Sequence, residues 1–118
     1  MSNANKFIMM LMNSRNQAHV FHLSTTSYAQ HKALESYYEG IVPLLDAYAE
    51  AYMGAYGRIK LSDLNKRYMT DPKNARLYFQ ALIARIKALK LPKDTFLTNI
   101  QDEIIALIRT TMYKFTLK

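Results

Sequence analysis

The chain has 118 residues, a formal net charge of +7, a hydrophobic share of one half and no cysteine. That length suits a single domain with one core, and the missing thiols exclude disulfides, iron–sulfur clusters and cysteine catalysis while fitting a reducing compartment. The longest apolar run, Phe7 to Met12, falls far short of the roughly 20 residues of a membrane span. Ser14, Arg15 and Asn16 follow it with no secretory cleavage pattern, so a soluble, cytoplasmic protein without a membrane partner is expected.

Met1 to Asn5 reads as a short flexible tail. The first helix is expected from about Lys6 to Leu23, with Phe7, Met10, Leu11, Ser14, Ala18 and Phe21 toward the core and His22 at the edge of that stripe. Met9, Met10 and Met12 read as adaptable core filler rather than copper or haem ligands. Ser24-Thr25-Thr26 interrupts the pattern, and Ser27 followed by Gln30 is a capping-box signature that starts a second helix. His19 and His31 each stand six residues from Thr25, which predicts that the two imidazoles face each other across an antiparallel helix pair.

The second helix is expected from Tyr28 to about Tyr56, with Leu34, Tyr38, Ile41, Leu45, Tyr48 and Tyr52 on its buried face. Beside that face, His31, Glu35, Glu39, Asp46 and Glu50 fall in a stripe roughly 100° wide at about 100° per residue. Pro43 removes a backbone bond at a cost of about 3 kcal/mol, which predicts a kink between Glu39 and Pro43, and Gly57 supplies the stop. Arg58 to Thr70 form a connector whose Ile59, Leu61, Leu64 and Tyr68 allow a turn or two of helix after Ser62.

Helix three opens with Asp71 as cap and Pro72 in its first turn. Ala75, Phe79, Leu82, Ile86 and Leu89 face the core, and Lys73, Arg76, Gln80, Lys87 and Lys90 face away. Leu91-Pro92-Lys93 breaks the chain, Asp94 starts helix four, and Leu97, Ile100, Ile104, Leu107, Ile108, Thr111 and Phe115 make its apolar stripe. The expected fold is all-α: four helices, with a crossover between the second and third.

The residues able to do chemistry concentrate in the first half, which holds all three histidines and four of the nine acids. His31 and Glu35 share a face at i,i+4, as do Asp46 and Glu50. The two pairs lie about 22 Å apart along the helix, whereas ligands of one metal ion lie within about 4–5 Å of each other. One chain cannot close a single site from both pairs. Two antiparallel copies of the helix about a twofold axis can, placing His31 and Glu35 of one against Asp46 and Glu50 of the other.

The spacing His19-x11-His31-x3-Glu35-x10-Asp46-x3-Glu50, with Ala18 before the first histidine and Ala49 before the last glutamate, resembles the ferroxidase signature of the Dps family of DNA-binding miniferritins and of small phage-encoded relatives. The resemblance covers about a third of the chain. It implies a ferritin-like four-helix bundle and a metal site in which the two histidines and first acid come from one subunit and the second acid pair from its twofold neighbour. It also implies oxidation of ferrous iron by peroxide or oxygen, protection against the damage these cause, and a shell of twelve subunits. In those terms His19, His31, Glu35, Asp46 and Glu50 are the catalytic and metal-binding set. The chain departs from the pattern at Glu35, where the family has Asp, at Val20, where it has Trp, and at Ala51, where it has Arg. Imidazole and carboxylate donors suit iron, and also manganese or zinc.

Other features carry two readings each. His22 is a hydrogen-bonded structural residue or an auxiliary ligand, and Glu39 is a solvated carboxylate or part of the ligand row. The four tyrosines from Tyr37 to Tyr52 pack the core or supply electrons. Up to Gly57 there are three basic and four acidic residues, and from Arg58 on thirteen and five; that half either attracts DNA through counterion release or is an ordinary solvated face. No glycine-rich phosphate loop, nucleophile elbow or HExxH occurs. The competing function is a non-enzymatic interaction protein on the same helical scaffold, binding host protein or nucleic acid through its basic half.

Overall fold

The computed structural model describes residues 2–61 and 68–118, and the regular structure in them is helical. Helix α1 spans Asn3–Ser24, α2 spans Tyr28–Tyr56, a single 3-10 turn covers Pro72–Asn74, α3 spans Ala75–Ala88 and α4 spans Thr95–Lys114.

The start of α1 corrects the expectation of a tail up to Asn5. The Ser2 side chain accepts from the Asn5 amide and caps a helix that begins at Asn3, satisfying one of the donors that a helix start leaves open. Ala4 and Asn5 are buried, and Asn5 Nδ2 donates to the Lys60 carbonyl at 2.6 Å. At the other end, Thr25–Ser27 form the turn, and the Ser27 hydroxyl accepts from the Gln30 amide at 3.2 Å. Only half of the expected capping box forms, because the Gln30 side chain donates to the Pro72 carbonyl at 3.3 Å instead.

Helix α2 runs unbroken for 29 residues through Pro43, which lies on its exposed side, where a proline ring meets least obstruction. Gly57 ends it at φ +92°, a conformation that side-chain-bearing residues avoid. Its buried face differs from expectation: Ala33 and Tyr37 are buried, whereas Tyr38 and Tyr52 are half-buried. The Tyr37 hydroxyl reaches Ser14 Oγ at 2.6 Å inside the core, which satisfies a group otherwise costly to bury.

The helix directions follow from paired contacts. Phe7 with Tyr48, Ser14 with Tyr37 and His22 with His31 climb α1 while descending α2, so these two are antiparallel. Asn3 Nδ2 donates to the Lys90 carbonyl beyond the end of α3, while Phe21 meets Tyr78 near its start, so α3 opposes α1. Gly40 faces Leu107 at mid-helix, and Tyr56 Oη donates to Asp94 Oδ1 at 2.5 Å, so α4 opposes α2. Around the bundle the order is α1, α2, α4, α3, with α1/α4 and α2/α3 on the diagonals.

In that order α2 and α3 are parallel, and the chain between them must return along the bundle's length. Its described ends are both held against α1. Lys60 is held by Asn5, Tyr68 Oη accepts from Asn16 Nδ2 at 3.1 Å, and Gln17 makes two bonds to the Met69 backbone. From Asn5 to Gln17 is about 18 Å at 1.5 Å per residue, a distance that the nine residues from Lys60 to Met69 cover with chain to spare. The turn expected after Ser62 falls on residues 62–67, outside the described residues.

The core is continuous: Phe7, Phe21, Leu34, Tyr37, Tyr48, Phe79, Leu97 and Ile104 are fully buried. In α3 the expected Ala75, Phe79, Leu82 and Ile86 are buried and Ile83 joins them, with Leu89 half-buried. In α4 Leu97, Ile104, Ile108 and Thr111 are buried, and Ile100, Leu107 and Phe115 are half-buried at the edge of the stripe. Leu91 in the break between them is also buried.

Candidate functional site

Three imidazoles and one phenol meet where α1 turns into α2. His22 Nδ1 donates to the His31 carbonyl at 2.8 Å and His31 Nδ1 donates to the His22 carbonyl at 2.9 Å. A carbonyl can only accept, so the Nδ1 of each ring carries a proton. In the neutral tautomer that leaves Nε2 with a free lone pair, the form in which a histidine ligates metal while its other nitrogen is anchored to the backbone. The two rings stack with centroids 3.7 Å apart and planes inclined by 18°.

The partner of His31 is therefore His22 rather than His19. The turn runs Thr25–Ser27 and is centred beyond Thr25, which moves the facing position on α1 toward its end, from His19 to His22. His19 lies deeper along the pair, stacked on Tyr38 at 4.6 Å and 6.0 Å from the His22 ring. Its Nδ1 accepts from an Arg15 guanidinium N–H at 3.3 Å, and Arg15 also lies 5.3 Å over the Tyr38 ring. That bond puts the neutral ring's proton on Nε2, so His19 needs Arg15 to withdraw before it can ligate through Nε2.

The carboxylates form no part of this cluster. Glu35 sits one turn beyond His31 and accepts from Lys32 Nζ at 3.4 Å. The hydrogen bond to Glu35, and after it the attraction of the Glu35 charge, holds the Lys32 ammonium above its usual range. Such an exposed pair is easily traded for another partner. Glu39, Asp46 and Glu50 are exposed on α2. Asp46 and Glu50 border a groove of about 300 Å³ with Met12, Leu45 and Arg58, at the opposite end of the helix from the imidazoles. Among the described residues no three His, Asp or Glu side chains converge within one chain as a metal-binding group.

Three phenols hold on to their protons because burial penalises the phenolate. Tyr48 and Tyr78 are each pushed up to about 12, and Tyr37 higher still. Tyr56 is raised by its bond to Asp94. The Tyr48 hydroxyl is buried with no hydrogen-bond partner among the described residues. Asn5 and Gln17 bind the backbone at Lys60 and Met69, a role that no local motif announces. Both are polar residues inside an apolar-patterned helix, and that is the one local signal that something packs over them.

No helix among the described residues is long and apolar enough to cross a membrane. A model of a family of unknown function, DUF5856, matches residues 22–115, a stretch that contains His22, His31, Glu35, Asp46 and Glu50 and begins after His19. An uncharacterized 14.6 kDa protein in the mobD-ri intergenic region of Enterobacteria phage T4 is 35% identical over 57 residues, which is 48% of this chain. The match spans 44% of that phage protein's own length. No solved structure matches significantly.

Proposed function

Because the chain belongs to DUF5856, a family of unknown function, its role must be read from its own residues, and we propose that it is a ferritin-like bundle that binds ferrous iron at a site completed by a second copy and oxidises it there. The observation that carries this reading is the division of donors along α2. An anchored imidazole with a free Nε2 and a half-buried carboxylate stand at one end, and two exposed carboxylates stand about 22 Å away at the other. Each half is an incomplete ligand set, and a twofold-related copy supplies what each lacks.

The donors suit the ion. His31 Nε2 and the oxygens of Glu35, Asp46 and Glu50 form the mixed nitrogen and oxygen set that iron accepts, with manganese and zinc as competitors. In each site His31 and Glu35 come from one copy, and Glu50 and Asp46 from the other. Glu35 and the partner copy's Glu50 hold the ions as terminal or bridging carboxylates, and Asp46 serves the weaker position or takes up protons released as ferric iron hydrolyses. His19 joins when Arg15 lets go of its Nδ1. With peroxide as oxidant, two ferrous ions would give one electron each to one peroxide, which with two protons leaves as two water molecules, so that the pair of reagents that damages nucleic acid is consumed. With oxygen the iron would be oxidised but peroxide would not be removed.

The helix order supports the ferritin-like assignment: two antiparallel pairs joined by one long crossover between parallel helices on a diagonal is the connectivity of such bundles. A bend at Pro43, midway between the ligand pairs, would set their relative tilt. A dimer satisfies the site, and the twelve-subunit shell is what the Dps resemblance adds. Aerobic addition of ferrous iron should develop ferric absorbance faster than a protein-free control, and His31→Ala or Glu50→Ala should abolish the excess. A rate equal to the control sinks the proposal.

One observation favours a second reading. The charge excess lies in the half that bears none of these donors, thirteen basic against five acidic residues from Arg58 on, as an interaction protein without iron chemistry would have it. That reading predicts no ferric product.

A further inference from the structure

A separate groove of about 390 Å³ lies between the start of α3 and the end of α4, bordered by Arg76, Gln80, Arg109, Tyr113 and Thr116. We propose that it is a nucleotide pocket, with the two guanidinium groups on a phosphate and Tyr113 under a base. The inference is independent of the iron site.

Charge is the first argument. The two arginines come from different helices, and no carboxylate lines the groove. Among the described residues the ion pair is Lys32 with Glu35 on α2, so neither guanidinium is neutralised by one. Gathering two like charges without a counter-ion works against folding, and a bound anion removes that penalty. The helix ends do not alter the balance. α3 begins at the groove and α4 ends there, and their terminal partial charges, about +0.5 and −0.5, offset each other. Arginine is also the side chain whose planar fork matches phosphate oxygens in pairs.

Shape and chemistry narrow the ligand. Gln80 and Thr116 offer neutral hydrogen-bond groups, Ile83 and Met112 form an apolar floor, and Tyr113 is 62% exposed. An exposed phenol ring beside a phosphate site is the element on which a base stacks. The volume lies at the small end of the range for small-molecule sites, which suits one nucleotide unit. A free nucleoside monophosphate and the phosphorylated end of a nucleic-acid strand present the same chemistry.

Calorimetric titration of the intact protein at low salt tests this, with AMP, inorganic phosphate and a short 5′-phosphorylated single-stranded oligonucleotide as probes. AMP should bind once per chain and about tenfold more tightly than phosphate. Arg76→Gln and Arg109→Gln should each weaken AMP about tenfold, and Tyr113→Ala should bring AMP down to the level of phosphate while leaving phosphate itself unchanged. All three side chains are exposed, so circular dichroism should show each variant folded. An oligonucleotide that binds more tightly than AMP and responds to the same variants identifies a strand end as the source, and equal affinities identify the free nucleotide. No binding of either, or binding indifferent to all three substitutions, overturns the proposal.

Discussion

Replacing Gln17 should loosen the crossover that defines the helix order. Its side chain is 2% exposed, donates from Nε2 to the Met69 carbonyl at 2.7 Å and accepts from the Met69 amide at 2.8 Å. Gln17→Ala removes two hydrogen bonds worth about 1 kcal/mol each together with some buried stem, for a loss of about 2–3 kcal/mol. With a urea m-value near 1.5 kcal/mol/M, the unfolding midpoint should fall by roughly 1.5 M. Gln17→Glu sharpens the test, because its carboxylate keeps the acceptor but turns a second oxygen toward the Met69 carbonyl. Only the protonated acid restores the donor, so this glutamate's pKa should rise on folding. Its stability should be greatest below the unfolded value of about 4.3 and fall as pH rises through the folded one. Urea unfolding followed by circular dichroism at pH 4 and pH 7, with amide exchange at Met69, reads all of this. A Gln17→Ala midpoint within error of wild type, or a Gln17→Glu variant indifferent to pH, would refute the clamp.

Other predictions concern the core and the turn. Because folded Tyr48 and Tyr78 are pushed up to about 12 against about 10 unfolded, stability should hold up to about pH 10 and then drop by roughly 1–3 kcal/mol per phenol as pH approaches 12. An ultraviolet titration should show these phenols, with Tyr37, ionising only as the protein unfolds. Early ionisation of all nine tyrosines would contradict their burial. A Cβ on Gly40 would meet Leu107 Cδ2 at 3.3 Å, a flexible tip, so Gly40→Ala should be close to neutral, helped by about 1 kcal/mol of helix propensity. Gly40→Leu should cost about 1–3 kcal/mol by wedging α2 from α4, as thermal unfolding would show. His22→Ala should cost about 2 kcal/mol through the lost bond to the His31 carbonyl and lost stacking. It should leave iron oxidation per folded protein intact, because the His22 carbonyl that anchors His31 belongs to the backbone.

Local pattern made most of the helices legible. The spacing of Phe7, Leu11, Ser14, Ala18 and Phe21 marks the core of α1, Asp71-Pro72 marks the approach to α3, and the stripe from Leu97 to Phe115 marks α4, because each depends only on residues within a few turns. What depends on distant chain was not legible. Asn5 and Gln17 look like surface residues until Lys60 and Met69 arrive from more than fifty positions away. Tyr37 and Tyr38 are adjacent, and which of them is buried depends on Ser14 across the bundle. Likewise the histidine facing His31 was set by where the three-residue turn is centred, a shift from His19 to His22 that spacing about Thr25 does not reveal. For the site, sequence placed His31 and Glu35 at one end of α2 and Asp46 and Glu50 at the other, and the proposed meeting of the two sets requires a second molecule.

Mixing His31→Ala with Glu50→Ala, each inactive alone, tests that meeting most directly. If every site draws its imidazole from one copy and its distal carboxylate from the other, half of the randomly formed dimers are mixed and each holds one intact site of two. Ferrous oxidation should then recover to about a quarter of the wild-type rate. If the mixture stays as inactive as its components under conditions where exchange is shown by mass, the shared site does not exist.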